Sequence, residues 1–216
     1  MGIAERRERE KERRKQDIID AAEKVFFDKG FTAASVESVA NEAELSKATL
    51  YLYFRTKDEL YYAVCSRAQD LIFKLIDKEI AKYSKTIDIL KAFLNSFLIF
   101  QKKYPDYFQA LYYFQTHKMD IDYNGEEVQK HKEQDQLYLA KWIALVEKGK
   151  KEGIIRKELN PINSVLLIWM QMSGFLKIYS VMEEELNNHY NITKKSLLED
   201  YFDLIFNGVL SKIPKR

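Results

Sequence analysis

Apolar residues recur along this chain at intervals of three and four and nowhere alternate strictly, which is the period of helices and not of strands. Ile18, Ile19, Ala22, Val25 and Phe26 form one stripe over about Gln16–Lys29, and Gly30 is a good C-terminal stop. Val36, Val39, Ala40 and Ala43 form a short second stripe behind Ser35, a residue suited to capping. Glu44 and Leu45 break the period, and Ser46 offers another cap. A third helix is predicted from Lys47 to about Phe54, with Leu50 and Phe54 inward. Thr56-Lys57-Asp58-Glu59 has the form of a capping box. It opens a long helix through Leu60, Val64, Ala68, Leu71, Leu75 and Ile76 to about Tyr83. Further helices are predicted over Thr86–Lys103, from Pro105, over about Glu126–Glu152, over Pro161–Ser180 and over Thr193–Leu210. The fold class is all-α.

The 216 residues suffice for one large or two small domains, with a net charge of only +2. Any nucleic-acid contact must therefore come from a local patch. A single cysteine, Cys65, excludes an internal disulfide and fits a reducing, cytoplasmic setting. No apolar signal core stands at the start. No run reads as long and apolar enough to span a membrane, so no membrane partner is expected. Residues 1–15 form a charged extension, with seven Lys/Arg from Arg6 to Lys15 against four Glu from Glu5 to Glu12. Its favoured reading is a solvated helical extension or frayed end; a basic arm toward DNA is the alternative.

Between Ser46 and Lys57 there is no carboxylate. The predicted outer face there carries Lys47, Ala48, Thr49, Tyr51 and Tyr53. A cation and hydroxyls suit phosphates, and a methyl suits thymine, so two short helices meeting at a turn here fit a major groove. On spacing alone the stretch is equally an ordinary core hairpin.

The order of residues decides between them. Ala21, Ala22, Phe26, Gly30 and Phe31, then Ser35, Val39, Ala40 and Ala43, then Leu45, Ser46, Lys47, Thr49, Leu50, Tyr51, Tyr53, Phe54, Lys57 and Leu60 follow one pattern. From Ala21 to Leu60 the chain resembles the DNA-binding domain of the TetR family of transcriptional regulators. The resemblance implies a three-helix DNA-binding domain over 16–60 and a helical ligand-binding and dimerisation domain over 61–216. It implies DNA contacts by Ser35, Ser46, Lys47, Ala48, Thr49, Tyr51, Tyr53 and Lys57. Tyr51 and Lys57 are assigned to phosphates, and Lys47 and Ala48 to base edges. It also implies a homodimer through 161–180 and 193–210, seated on a palindromic operator. Two residues depart from the pattern: Glu44 and Ala48 stand where the family usually or often has Gly. Glu44 is therefore expected at positive φ.

Aromatic residues and methionines crowd the second domain. Phe97, Phe100, Tyr104, Phe108, Leu111 and Tyr112 are candidate ligand contacts, with Trp142, Trp169, Met172, Phe175 and Tyr179. Each is also an ordinary core residue. Together they predict a pocket for a small apolar or aromatic effector, and the resemblance implies a repressor that the effector releases from DNA. The alternative is a helical small-molecule binding protein without DNA-binding activity. Asp120-Ile-Asp122-Tyr-Asn124-Gly125 copies half of a calcium loop, but His131 stands where the bidentate Glu belongs. His117, His131 and His189 lack metal-site spacing. No cofactor, no metal and no catalytic constellation are expected, so the chain is not read as an enzyme.

Overall fold

The structure is a computed structural model that describes residues 2–210, with the side chains of residues 126 and 127 excepted. Met1, which falls in the predicted extension, and 211–216, at the end of the predicted second domain, lie outside the described residues. Nine α-helices follow one another among the described residues: α1 Ile3–Ala33, α2 Val36–Glu42, α3 Lys47–Tyr51, α4 Lys57–Ile80, α5 Thr86–Lys103, α6 Pro105–Thr116, α7 Glu126–Lys151, α8 Pro161–Tyr190 and α9 Lys194–Val209. The all-α expectation holds.

The chain divides into two compact units. The first runs to Leu71 and takes in Pro105–Val128; the second is Ile72–Tyr104 with the chain from Gln129 onward. This division falls inside α4, after Leu71, and α6 belongs with the first unit. Its aromatic residues explain that assignment. Tyr107 meets Phe27 edge-on at 5.0 Å, and Tyr113 lies 5.2 Å from Phe31. Tyr61 and Cys65 of α4 both donate to the Ala110 carbonyl, at 3.2 and 3.6 Å.

In the first unit, Ile18, Ala22, Val39, Leu50, Leu60 and Val64 have no exposed surface. They are the inward positions that the three- and four-residue spacing picks out. The charged extension is helical: α1 begins at Ile3 and runs through it, with Glu10 paired to Arg13 at 3.0 Å and Arg14 at 3.5 Å. Such exposed pairs add only a few tenths of a kcal/mol each. Gly30, at φ 73° and ψ 164°, breaks the helical path before the segment closes at Ala33.

In the second unit, Asn160 caps α8 by accepting from Asn163 N, and Thr193 caps α9 by accepting from Ser196 N. α8 is longer than expected and ends only at Tyr190, capped by Asn191 at φ 52°. α9 closes on the segment after α7 through an antiparallel bridge between Ile155 and Leu210 and a bond from Arg156 N to Val209 O. One expectation is corrected here. Among the described residues one helix, α8, is long and apolar enough by length and composition to cross a membrane. Only 22% of its most apolar stretch is buried within the chain. Its few charges cluster after Val181, which leaves the preceding two-thirds nearly uncharged.

Gly149 lets α7 approach the rest of its unit. A Cβ there would lie 2.6 Å from Ile155 Cδ1 and 3.2 Å from Thr86 Cγ2. Ile155 is fully buried, and Thr86 donates to Glu152 Oε2 at 2.5 Å. Gly149→Ala is therefore expected to destabilise the protein by about 1–3 kcal/mol, the usual cost of overpacking, despite alanine's better helix propensity. Urea unfolding of the two forms checks this; equal midpoints would show that Ile155 yields without cost.

Candidate nucleic-acid interface

The geometry at α2 and α3 starts from caps. Ser35 Oγ accepts from Ser38 N at 3.1 Å, and Ser38 Oγ returns a bond to Ser35 O at 2.7 Å. Ser46 Oγ accepts from Thr49 N at 3.0 Å and lies 2.8 Å from Thr49 Oγ1. Between the caps, Glu44 stands at φ 55°. Glu44 N donates to Asn41 O at 3.1 Å and Leu45 N to Ala40 O at 2.9 Å. These two bonds define a Schellman turn, with Glu44 in the left-handed position that glycine normally fills. Leu45 packs against the core beside it. The positive φ expected of Glu44 is present, so the turn keeps its shape without glycine.

The turn directs α3 outward. Leu50 and Phe54 are buried, while Lys47, Ala48 and Tyr51 are exposed. The helix ends at Tyr51, three residues before the predicted end, and helical periodicity misplaces Tyr53. Tyr53, expected outside, is half-buried against the core, and Leu52 is 81% exposed. Thr49 is also half-buried, its hydroxyl engaged with Ser46.

Lys57 occupies a different place from a simple surface cation. Its ammonium donates to Phe31 O at 2.9 Å and Ala34 O at 3.1 Å and sits 4.2 Å from the Phe31 ring centre. It thus ties the start of α4 to the chain just after Gly30. Thr56 caps α4 by accepting from Glu59 N at 3.0 Å, and Glu59 Oε2 accepts from Arg55 N at 2.7 Å. Two residues at this face are not picked out by the sequence pattern. Leu52 reads as one more apolar residue, and its place four residues after Ala48 is the signal that could have found it. Arg55 has a side chain 79% exposed, 3.9 Å from Asp122; its presence inside the carboxylate-free run is the signal that could have found it.

The half-calcium loop is used internally. Asp120 N donates to Asp58 Oδ2 at 2.9 Å, Thr56 Oγ1 donates to Asp120 O at 3.2 Å, and Asn124 N donates to Asp122 Oδ1. Among the described residues no group of three or more acidic, His or Cys side chains is placed to hold a metal. A second polar cluster joins α4 to α1 and α6. Arg67 donates to Asp20 at 2.6 Å, Glu23 at 2.8 Å and Gln16 at 2.7 Å, and Tyr107 OH donates to Glu23 at 2.6 Å. Burial and the Glu23 bond raise the Tyr107 phenol, and burial raises the Cys65 thiol, so both stay protonated at neutral pH.

The eleven ligand candidates do not share one unit. Phe108, Leu111 and Tyr112 stand on α6 in the first unit, Phe108 buried and the other two half-buried. In the second unit Phe97, Phe100, Trp142, Met172 and Tyr179 are buried, and Tyr104, Trp169 and Phe175 are half-buried. Trp142 packs on Phe93 at 4.0 Å, and its buried indole N–H has no hydrogen-bond partner in the structure.

Two capped helices at a Schellman turn, the second presenting a cationic face to solvent, define a helix-turn-helix protein. Residues 18–64 match the family model described as bacterial regulatory proteins, tetR family. The chain is 31% identical over 90 residues to the transcriptional activator FasR of Mycolicibacterium smegmatis, covering 42% of this chain and 41% of that relative's length. It is 24% identical over 175 residues to the transcriptional repressor SCO4008 of Streptomyces coelicolor, covering 81% and 84% of the two chains. Among solved structures, a TetR family transcription regulator from Marinobacter aquaeolei superposes with a TM-score of 0.66 at 18% identity, over 95% of this chain and 100% of the other. The fatty acid degradation regulator FadR of Bacillus halodurans gives 0.63 at 20% identity, over 89% and 94%. Residues 18–64 are thus a TetR-family DNA-binding region, and over the rest of the chain these solved structures share its fold.

Two substitutions test this geometry. Glu44→Gly relieves left-handed strain of roughly 1–2 kcal/mol and returns part of it as unfolded-chain entropy. A net gain of about 1 kcal/mol is expected in urea unfolding, and a loss would mean that the Glu44 side chain contributes contacts of its own. Lys57→Ala removes two charged hydrogen bonds and is expected to cost about 2 kcal/mol in the same measurement.

Proposed function

We propose that this protein is a ligand-responsive transcriptional regulator, a repressor, that binds a palindromic operator as a homodimer in the cytoplasm. The observation that carries the reading is the exposed face of α3, with Lys47, Ala48 and Tyr51 outward and Arg55 following in a stretch without carboxylates. Lys47 and Ala48 meet base edges; Tyr51 and Arg55 hold phosphates, and Ser35 lies at the backbone. Lys57 adds a positive charge at the start of α4 while fastening it to the chain beyond Gly30. The turn without glycine keeps a helix-turn-helix shape at Glu44, which supports DNA binding over the alternative without it.

The dimer reading is supported by α8 and α9. Leu167, Met170, Ile178 and Val181 are 54–74% exposed at helical spacing on α8, and Leu204 is 73% exposed on α9. Apolar surface of that extent on a helix calls for a cover. A second copy provides it with twofold symmetry, which matches a palindrome with half-sites roughly 34–36 Å apart.

The effector is held in the second unit by Phe97, Phe100, Trp142, Met172 and Tyr179, and is apolar or aromatic. An acceptor oxygen on it would satisfy the Trp142 indole. FadR of Bacillus halodurans is a fatty acid degradation regulator; an acyl compound is a fitting first class to try. The α4 helix spans both units, and its continuity from Lys57 to Ile80 supports a coupling between effector and DNA. Reversing a 99:1 preference needs about 5.5 kcal/mol of differential affinity, and by linkage operator DNA must weaken effector binding by the same factor.

Selection of bound sequences from a random pool is expected to return a palindrome, which then shifts in a gel; a pool that never enriches would overturn the reading. Val181→Glu and Leu204→Glu are expected to give folded monomers in sedimentation, with operator affinity reduced at least a hundredfold. A folded monomer with full affinity would refute the dimer.

A further inference from the structure

We infer that Leu52, with Ala48 one turn before it, reads the 5-methyl group of a thymine in each operator half-site. The inference rests on the DNA-binding reading and goes beyond it, because Leu52 lies outside the residues that the sequence pattern marks for contact. Leu52 is 81% exposed, whereas Leu50 and Leu60 in the same unit have no exposed surface. Folding therefore does not use its side chain. Both Ala48 and Leu52 have right-handed helical backbone, Leu52 as the C-cap of α3 at φ −70° and ψ −20°, and they stand four residues apart. They form an apolar row on the surface of α3. The row beside it is Lys47 and Tyr51, both exposed. Arg55, exposed, comes next. An apolar strip edged by cations, with no carboxylate from Ser46 to Lys57, is complementary to a polyanion that carries an apolar group. A protein surface would meet the strip without needing those cations. In the major groove the thymine methyl is the apolar group that base edges offer, and cytosine lacks it at the same position.

The test uses the full-length protein and the palindrome selected from a random pool. Each thymine of a half-site is replaced in turn by deoxyuridine, which removes only the methyl, and affinity is read by fluorescence anisotropy. At one thymine per half-site the wild type is expected to lose about fourfold, the worth of one buried methyl group. Leu52→Ala, which leaves the core untouched, is expected to bind the thymine operator more weakly and to show less than half of that methyl dependence. Indifference of the wild type to uracil at every position overturns the inference while leaving DNA binding intact. Unchanged methyl dependence in Leu52→Ala also overturns it. If Leu52→Ala instead changes the oligomeric state in sedimentation, Leu52 is covered by protein and the inference fails. A pool that yields no bound sequence defeats the DNA-binding reading itself.

Discussion

The left-handed residue between α2 and α3 is the constraint that sets the candidate interface. A helix ends cleanly when its last carbonyls find donors, and the Schellman turn supplies them from Glu44 N and Leu45 N. The cost is one residue at φ 55°, borne here by a glutamate. The turn buries part of Leu45 and starts α3 at Ser46, whose side chain takes up the next unpaired amide. Leu50 and Phe54 then lock α3 onto the core. The direction of Lys47, Ala48, Tyr51 and Leu52 is a consequence of those three steps. A different backbone at residue 44 would rotate the whole face.

A second set of interactions holds the first unit to α4. Lys57 fastens the beginning of that helix to the two carbonyls after the Gly30 break. Further along α4, Arg67 gathers Gln16, Asp20 and Glu23 from α1, and Tyr107 of α6 completes the cluster through Glu23. Charged hydrogen bonds of this kind, partly sheltered from water, are worth more than the exposed pairs of the N-terminal extension. They make α4 and the helix-turn-helix one body within the first unit. Any displacement of α4 there must carry α1 with it or break the Arg67 cluster.

In the second unit the conflict lies in α8. Its residues are apolar on nearly every side, yet only Ser164, Val165, Met172, Leu176 and Tyr179 are buried within the chain. A helix of that character is covered on more than one side in its working state. Its composition alone meets the requirement for a membrane-spanning segment, and the exposed stripe from Leu167 to Val181 equally suits a partner helix. The proposed dimer removes the stripe from water without a lipid phase.

The sequence by itself determined the helices and, from α2 onward, their beginnings. Caps and stops are local chemistry: Ser35, Ser46, Thr56, Asn160 and Thr193 all accept the amide bonds that their hydroxyl or amide side chains suggest. The inward residues of α1 to α4 were legible because burial repeats with the helical period. So was the positive φ of Glu44, from its place in an ordered pattern. Tertiary structure alone decided three matters. The early end of α3 drew Tyr53 inward, since periodicity does not say where a helix stops. It engaged the Lys57 ammonium with backbone carbonyls that lie more than twenty residues away in the chain. It also placed α6 with the first unit, separating Phe108, Leu111 and Tyr112 from Phe97 and Trp142. Aromatic residues look alike in sequence whichever core they fill, and only packing assigns them to one.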